Sequence, residues 1–197
     1  MKLLSHACRA PFALLAALCL WGTCWAQNVT PAAPSAREIG ERLVDAIIQV
    51  ESQGNPQCVG SMGERGLMQI RLPTWRETTR EIFGHPQPFQ KAFDPALNRR
   101  VGRAYLARLQ AQIAQHREKW QADERALLIA AYNAGPTLLA QKNFDLKKMP
   151  ASTRDYVERV TNLHDAMLTE IARVTQQQYA TQLLAQNAVT IARIATL

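Results

Sequence analysis

One glutamate, Glu51, stands in the stretch AIIQVESQGNPQCVGSMGERGLMQI (residues 46–70) where a carboxylate could move a proton. From Ser35 onward Ile39, Leu43, Ile47 and Val50, with Val44 beside them, follow the three-to-four spacing of a helix facing a core. Glu51 lies four residues after Ile47 and seven after Val44, so it continues that buried stripe. A carboxylate removed from water is harder to ionise, and burial raises its pKa toward neutrality. Such a group can donate a proton at working pH and later take one back. Gly54, Asn55 and Pro56 stop the helix directly after the acid, which leaves its carboxylate at the lip of a turn. Gly60, Gly63 and Gly66 then allow a tight return path and close backbone approach.

The elements that must hold this stretch are helical. Ser35 and Glu38 form a capping-box pattern, which predicts a first helix over residues 36–52. Leu67 to Ile70 reads as a short helical turn, and Pro73 opens a second helix that Gly84 closes after Phe83. Two prolines between His85 and Phe89 mark a loop. Asp94 is an N-cap with Pro95 behind it, and Leu97, Val101, Tyr105, Leu109 and Ile113 repeat every four residues to about His116. Asp123 caps the next helix, whose run from Ala126 to Ala131 is apolar on every side, so it is expected at the centre; Gly135 and Pro136 end it. Ser152 or Thr153 starts a further helix with Val157, Val160, Met167, Ile171 and Val174 on one face. With no convincing strand and no internal repeat, the fold class is all-α, with at most a minimal β element.

Residues 1–26 carry Lys2 and Arg9, an apolar run from Phe12 to Trp21, and Cys24-Trp25-Ala26 as a small-x-small cleavage site, which reads as a removable secretory signal. The run is shorter than the roughly 20 residues a spanning helix needs, so no stable membrane insertion is expected. Residues 27–34 hold two prolines and no charge and read as a linker. After cleavage 171 residues remain, enough for one domain, and Cys58 is their only cysteine, so no internal disulfide can form. A small buried side chain beside the glycine turn is the role expected for Cys58. Losing Lys2 and Arg9 with no acid takes the net charge from +7 to +5. That charge favours anionic polymers, but no nucleic-acid motif accompanies it, and the arginines at 99, 100, 103 and 108 read as the solvated face of one helix. No set of His, Cys, Asp and Glu has metal-ligand spacing, so neither metal nor cofactor is expected.

Several motifs in order carry a family resemblance: Glu51-Ser52, Asn55-Pro56, GERGLMQI at 63–70, Phe93-Asp94-Pro95, Asn98, Gly102 with Tyr105-Leu106, AYNAG at 131–135, and Thr153-Arg154 with Tyr156-Val157. The chain resembles the lytic transglycosylase domain of the soluble, lysozyme-like type. The resemblance implies a lysozyme-like helical domain over about 35–160, followed by a helical extension over 161–197. It also implies cleavage of the β-1,4 bond between N-acetylmuramic acid and N-acetylglucosamine in peptidoglycan. Glu51 would protonate the leaving oxygen and then deprotonate the C6 hydroxyl that attacks C1, giving a 1,6-anhydro product. By motif position Gln69, Tyr132, Asn133, Ser52, Ser61, Met68 and Tyr156 would contact or flank the glycan, although Ser52 also reads as a helix-end brace and Met68 as core. The family often has Ser nine residues after the acid; here Gly60 stands there, with Ser61 following. Arg71-Leu72-Pro73 replaces the family's Met-Pro, and Arg71 is a candidate for a peptide-stem carboxylate.

Most glycosidases use two carboxylates, and here Asp94 is the better rival for a second one, though its N-cap context favours a structural role; Glu64 reads as lying in the turn. If Glu51 works alone, the substrate must supply the nucleophile, and the resemblance implies that its own acetamido oxygen would stabilise C1. Two other readings stand beside the transglycosylase: a goose-type lysozyme that hydrolyses the same polymer, and a non-catalytic wall-binding module. By the same resemblance the enzyme is exported to the periplasm and opens the wall for a secretion, conjugation or pilus assembly. The tail, with Tyr179, Leu183, Leu184, Val189 and Ile191, would pack on the domain or dock elsewhere.

Overall fold

Ser35 accepts the Glu38 backbone N–H at 3.2 Å and starts α1, Ala36–Ser52, as its spacing predicts. Gln53 takes the left-handed position that ends the helix (φ 52°), and its N–H returns to the Gln49 carbonyl. Val44, Ala46, Ile47 and Ile48 are buried along this helix. The computed structural model describes residue 33 and residues 35–196; the signal segment 1–26, with Cys8, Cys19 and Cys24, and all of the linker 27–34 except residue 33 lie outside the described residues.

Helix α2, Leu72–Phe83, has Pro73 in its first turn and closes at Gly84. Asp94 accepts the Leu97 N–H at 2.9 Å and starts α3, Pro95–Ala114. Asp123 accepts the Ala126 N–H at 2.9 Å and starts α4, Glu124–Ala134, in which every residue from Ala126 to Ala131 is buried. Gly135 ends α4, and α5, Pro136–Gln141, begins on the next residue. The last helix, α6, is Ala151–Ala195 and begins after Pro150, ahead of the expected Ser152 or Thr153. Helix α4 packs against α3, α5 and α6, while α1 lies mainly against α6 and α2 against α3. Among the described residues β structure is confined to two isolated bridges, Val59 with Arg65 and Arg65 with Ile70. The expectation of an all-α fold therefore holds.

Two local expectations change. Leu67 to Ile70 is not helical: the Gln69 N–H closes a turn on the Gly66 carbonyl at 3.2 Å, Gln69 is left-handed (φ 44°), and Arg65 and Ile70 exchange backbone hydrogen bonds of 3.1 Å. The arginines of α3 are not simply a solvated face. Arg99 pairs with Glu41 and Asp45 at 3.1 and 2.7 Å, and Arg103 with Glu41 at 2.8 Å, tying α3 to α1. Arg108 pairs with Glu77 and Glu81 of α2 at 3.1 and 2.7 Å.

Helix α6 runs unbroken through residue 160, where the domain was expected to end. Val160 and His164 are buried, and Leu163 and Met167 still pack on the core. Farther on, Leu183, Leu184, Val189, Ile191 and Ile194 are all exposed, so the tail is helical without packing there. No helix among the described residues is long and apolar enough to cross a membrane.

Candidate active site

The turn after α1 is bound to three helices through polar groups that face inward. Ser52 donates its hydroxyl to the Leu67 carbonyl at 2.8 Å and also lies 3.2 Å from the Ile48 carbonyl. Asn98, fully buried on α3, accepts the Met68 N–H at 2.9 Å and donates to the Arg65 and Ala92 carbonyls at 3.0 and 2.8 Å. Tyr132 of α4 donates to the Met68 carbonyl at 2.6 Å. Gly66 must be glycine twice over: its φ is 78°, and a Cβ there would collide with the Ala92 carbonyl and the Asn98 amide. The turn is therefore fixed from α1, α3 and α4 at once.

Beside it opens a cleft of about 500 Å³ whose lining includes Glu51, Ser61, Glu64, Gln69, Tyr132 and Asn133 together with Arg71, Thr74 and Tyr105. Glu51 is half-buried at the end of α1 and accepts a hydrogen bond from the Tyr156 hydroxyl at 2.7 Å. Burial raises its pKa above the ordinary carboxylate value; the negative charge of Glu64 adds to the rise, while the Tyr156 hydrogen bond and Arg159 oppose it. Burial, with the charge of Glu51 next, also raises the hydroxyl pKa of both Tyr132 and Tyr156. Both phenols therefore stay protonated and act as donors. The Tyr132 ring is tilted against Tyr105, with centroids 5.6 Å apart.

The residues singled out from the sequence separate into two groups. Glu51, Gln69, Tyr132, Asn133 and Ser61 share the cleft. Gln69 donates its amide to the Cys58 and Gly66 carbonyls at 3.1 and 2.8 Å, so local backbone holds its N–H groups and its amide oxygen lies toward Gly60 on the cleft wall. Tyr156 reaches Glu51 without lining the cleft. Ser52 and Met68 lie outside it: Ser52 braces the helix end, and Met68, fully buried, meets the site only through its backbone. Cys58 is half-buried and not fully enclosed.

The second carboxylate of the cleft is Glu64, not Asp94, whose side chain is spent capping α3. Glu64 accepts the Met62 N–H at 2.9 Å, and Arg71 stands 3.7 Å away. Sequence spacing placed Glu64 in the turn but carried no sign that the turn folds its carboxylate back over Gly60. Arg71 lines the cleft as well. Among the described residues no three His, Cys, Asp or Glu side chains converge as a metal site.

Residues 29–153 match the family described as the transglycosylase SLT domain. The chain is 33% identical over 145 residues to the endo-type membrane-bound lytic murein transglycosylase A of Cronobacter sakazakii, covering 70% of this chain and 71% of that one. Its counterpart in Citrobacter koseri is 30% identical over the same shares. Among solved structures, an inactive variant of the lytic transglycosylase Slt from Pseudomonas aeruginosa matches with a TM-score of 0.52 and 28% identity, covering 74% of this chain and 23% of that one. The 70 kDa soluble lytic transglycosylase of Escherichia coli matches with a TM-score of 0.51 and 27% identity, covering 66% and 22%. The chain thus spans less than a quarter of either of these two structures.

Proposed function

The chain belongs to the transglycosylase SLT family and is a peptidoglycan lytic transglycosylase, and on that premise we propose that Glu51 is both acid and base in a non-hydrolytic cleavage. Glu51, protonated, gives its proton to the oxygen leaving C1 of N-acetylmuramic acid. The sugar's acetamido oxygen stabilises the cationic C1, the substrate-assisted route that dispenses with a carboxylate nucleophile. Glu51, now ionised, takes the C6 hydroxyl proton as that oxygen bonds to C1. A 1,6-anhydro sugar leaves and no water is consumed.

What carries this reading is the setting of Glu51: a half-buried carboxyl on the cleft wall whose pKa is raised by desolvation. A group that gives and then takes a proton in one turnover works best with a pKa near the operating pH. The Tyr156 hydroxyl supports the first half of the cycle, because its 2.7 Å hydrogen bond favours the ionised carboxylate that proton donation leaves behind. Ser61, Gln69 and Asn133 lie along the same cleft and supply polar contacts to the glycan.

Mass spectrometry of muropeptides released by the purified protein tests the proposal. Products one water lighter than the hydrolysed sugars are expected. Hydrolysed products would instead establish the goose-type lysozyme reading, which the second carboxylate, Glu64, keeps in view. A protein that binds wall material and releases nothing would be the wall-binding module.

Export is part of the same reading. A protein leaving the cytoplasm with residues 1–26 removed acts on the wall from the periplasm, where local opening would serve a secretion, conjugation or pilus assembly. Sequencing the N-terminus of the secreted form is expected to begin at Gln27; retention of residues 1–26 would refute cleavage.

A further inference from the structure

Gly60 sits where two oxygen-bearing side chains of the cleft converge. Its backbone is not left-handed, so a side chain at this position meets only an obstacle of space, made by the ends of two flexible side chains that would have to move aside. A Cβ there would lie 2.5 Å from Glu64 Oε2 and 2.7 Å from Gln69 Oε1. Both oxygens therefore crowd the same face of residue 60, on the wall of the cleft that holds Glu51.

Neither group has a proton to offer. Gln69 spends its amide N–H groups on the Cys58 and Gly66 carbonyls, and the Glu64 carboxylate serves as an acceptor, taking the Met62 N–H. Glu64 Oε2 takes one donor, the Met62 N–H, and Arg71 Nε stands 3.7 Å from Oε1, beyond hydrogen-bond range. This strip of wall presents acceptors side by side, and neighbouring acceptors of like partial charge are stabilised when a donor comes between them. We infer that Glu64 is a substrate-binding residue that, together with the Gln69 oxygen, takes N–H and O–H donors of an N-acetylated sugar, and that residue 60 lacks a side chain because the Glu64 carboxylate occupies that space. This assignment rests on the reading of the cleft as a glycan site.

Steady-state kinetics on purified glycan strands, taken on the plateau of the pH profile, test it with four variants. Glu64→Ala is expected to raise KM about tenfold or more, the loss of a hydrogen bond to a charged group, with kcat changed less than about threefold. Glu64→Gln keeps the size of the side chain and an oxygen for the Met62 N–H, so the turn survives while the charge is lost; KM rises here too. Gly60→Ala needs no unusual backbone and leaves both acceptor side chains present but displaced, and is expected to raise KM by a similar factor. The double variant Gly60→Ala with Glu64→Ala is expected to be no worse than Gly60→Ala alone, since the alanine at 60 already displaces the Glu64 contact that the second change removes.

An unchanged KM in Glu64→Gln and Glu64→Ala, with thermal unfolding as in the wild type, would overturn the inference and leave Glu64 as a tie for the Met62 turn. Additive losses in the double variant would overturn the shared-space argument. Calorimetric binding of an N-acetylglucosamine oligomer to Glu51→Gln, with and without Glu64→Ala, separates this assignment from the proposed reaction. A weaker complex in the second supports Glu64 whether or not the wild type turns over, and equal affinity counts against it.

Discussion

Replacing Glu51 by Gln keeps the shape of the side chain and an oxygen to accept the Tyr156 hydroxyl at 2.7 Å, but removes the proton that the reaction moves and the charge that burial opposes. Turnover is expected to fall by about a hundredfold or more, the usual contribution of a general acid, while binding to wall material stays nearly intact. The same variant has a thermodynamic signature of opposite sign. Because the folded pKa of Glu51 is raised, the folded protein holds a proton that the unfolded chain has already released over the window between the two pKa values. Native stability of the wild type therefore declines as pH climbs through that window, and the decline is complete above the folded pKa. Below the ordinary carboxylate range both states are protonated and the effect vanishes. Glu51→Gln has no such decline, so its advantage over the wild type should be absent in acid, grow with pH, and level off. Each pKa unit of displacement is worth about 1.4 kcal/mol, or roughly 3–6 °C in Tm for a domain of this size. Differential scanning calorimetry across pH, set beside the pH–rate profile, is the assay. The midpoint at which the Tm difference levels off should coincide with the Glu51 limb of the kinetic profile. A Tm difference independent of pH, or a kinetic limb in the ordinary carboxylate range, would refute the argument from burial.

Tyr156→Phe removes the hydroxyl that bonds Glu51, which should make the acid harder to ionise and shift its limb of the pH–rate profile upward, with kcat down about tenfold from the lost charge-assisted bond. Asn98→Ala leaves the Met68 N–H and the Arg65 and Ala92 carbonyls without their partner, and chemical denaturation should show a loss of about 3–5 kcal/mol. Removing residues 176–197, where the apolar side chains of α6 are exposed, should change Tm by less than about 2 °C and leave turnover of soluble glycan intact; a larger drop would mean that the tail packs on the domain.

Features determined locally were legible in the sequence. Ser35, Asp94 and Asp123 each cap a helix through a hydrogen bond to a residue three positions on, and Pro73 and Pro95 sit in first turns, so α1 to α4 start close to where the spacing places them. The burial of Glu51 was legible too, because a helical stripe reports which face turns inward. What stayed hidden depends on partners far along the chain. Arg99 and Arg103 look like surface charges until α3 lies against Glu41 and Asp45 of α1. Glu64 enters the cleft only because the chain reverses twice between Val59 and Ile70, and left-handed Gln69, a non-glycine residue, gives no warning of the second reversal. No breaker follows Val160, so the continuity of α6 could be read, but not the point at which its packing runs out.

The dependence of the catalytic turn on Asn98 makes it sensitive to a change of one atom. Hydrolysis of that amide would give an aspartate of the same outline, with an oxygen in place of the nitrogen that now donates to the Arg65 and Ala92 carbonyls. Three oxygens would then face one another where none carries a hydrogen, and the loop would be driven off α3. Full burial inside a helix shields Asn98 from this chemistry, so the hazard is confined to whatever time the chain spends unfolded.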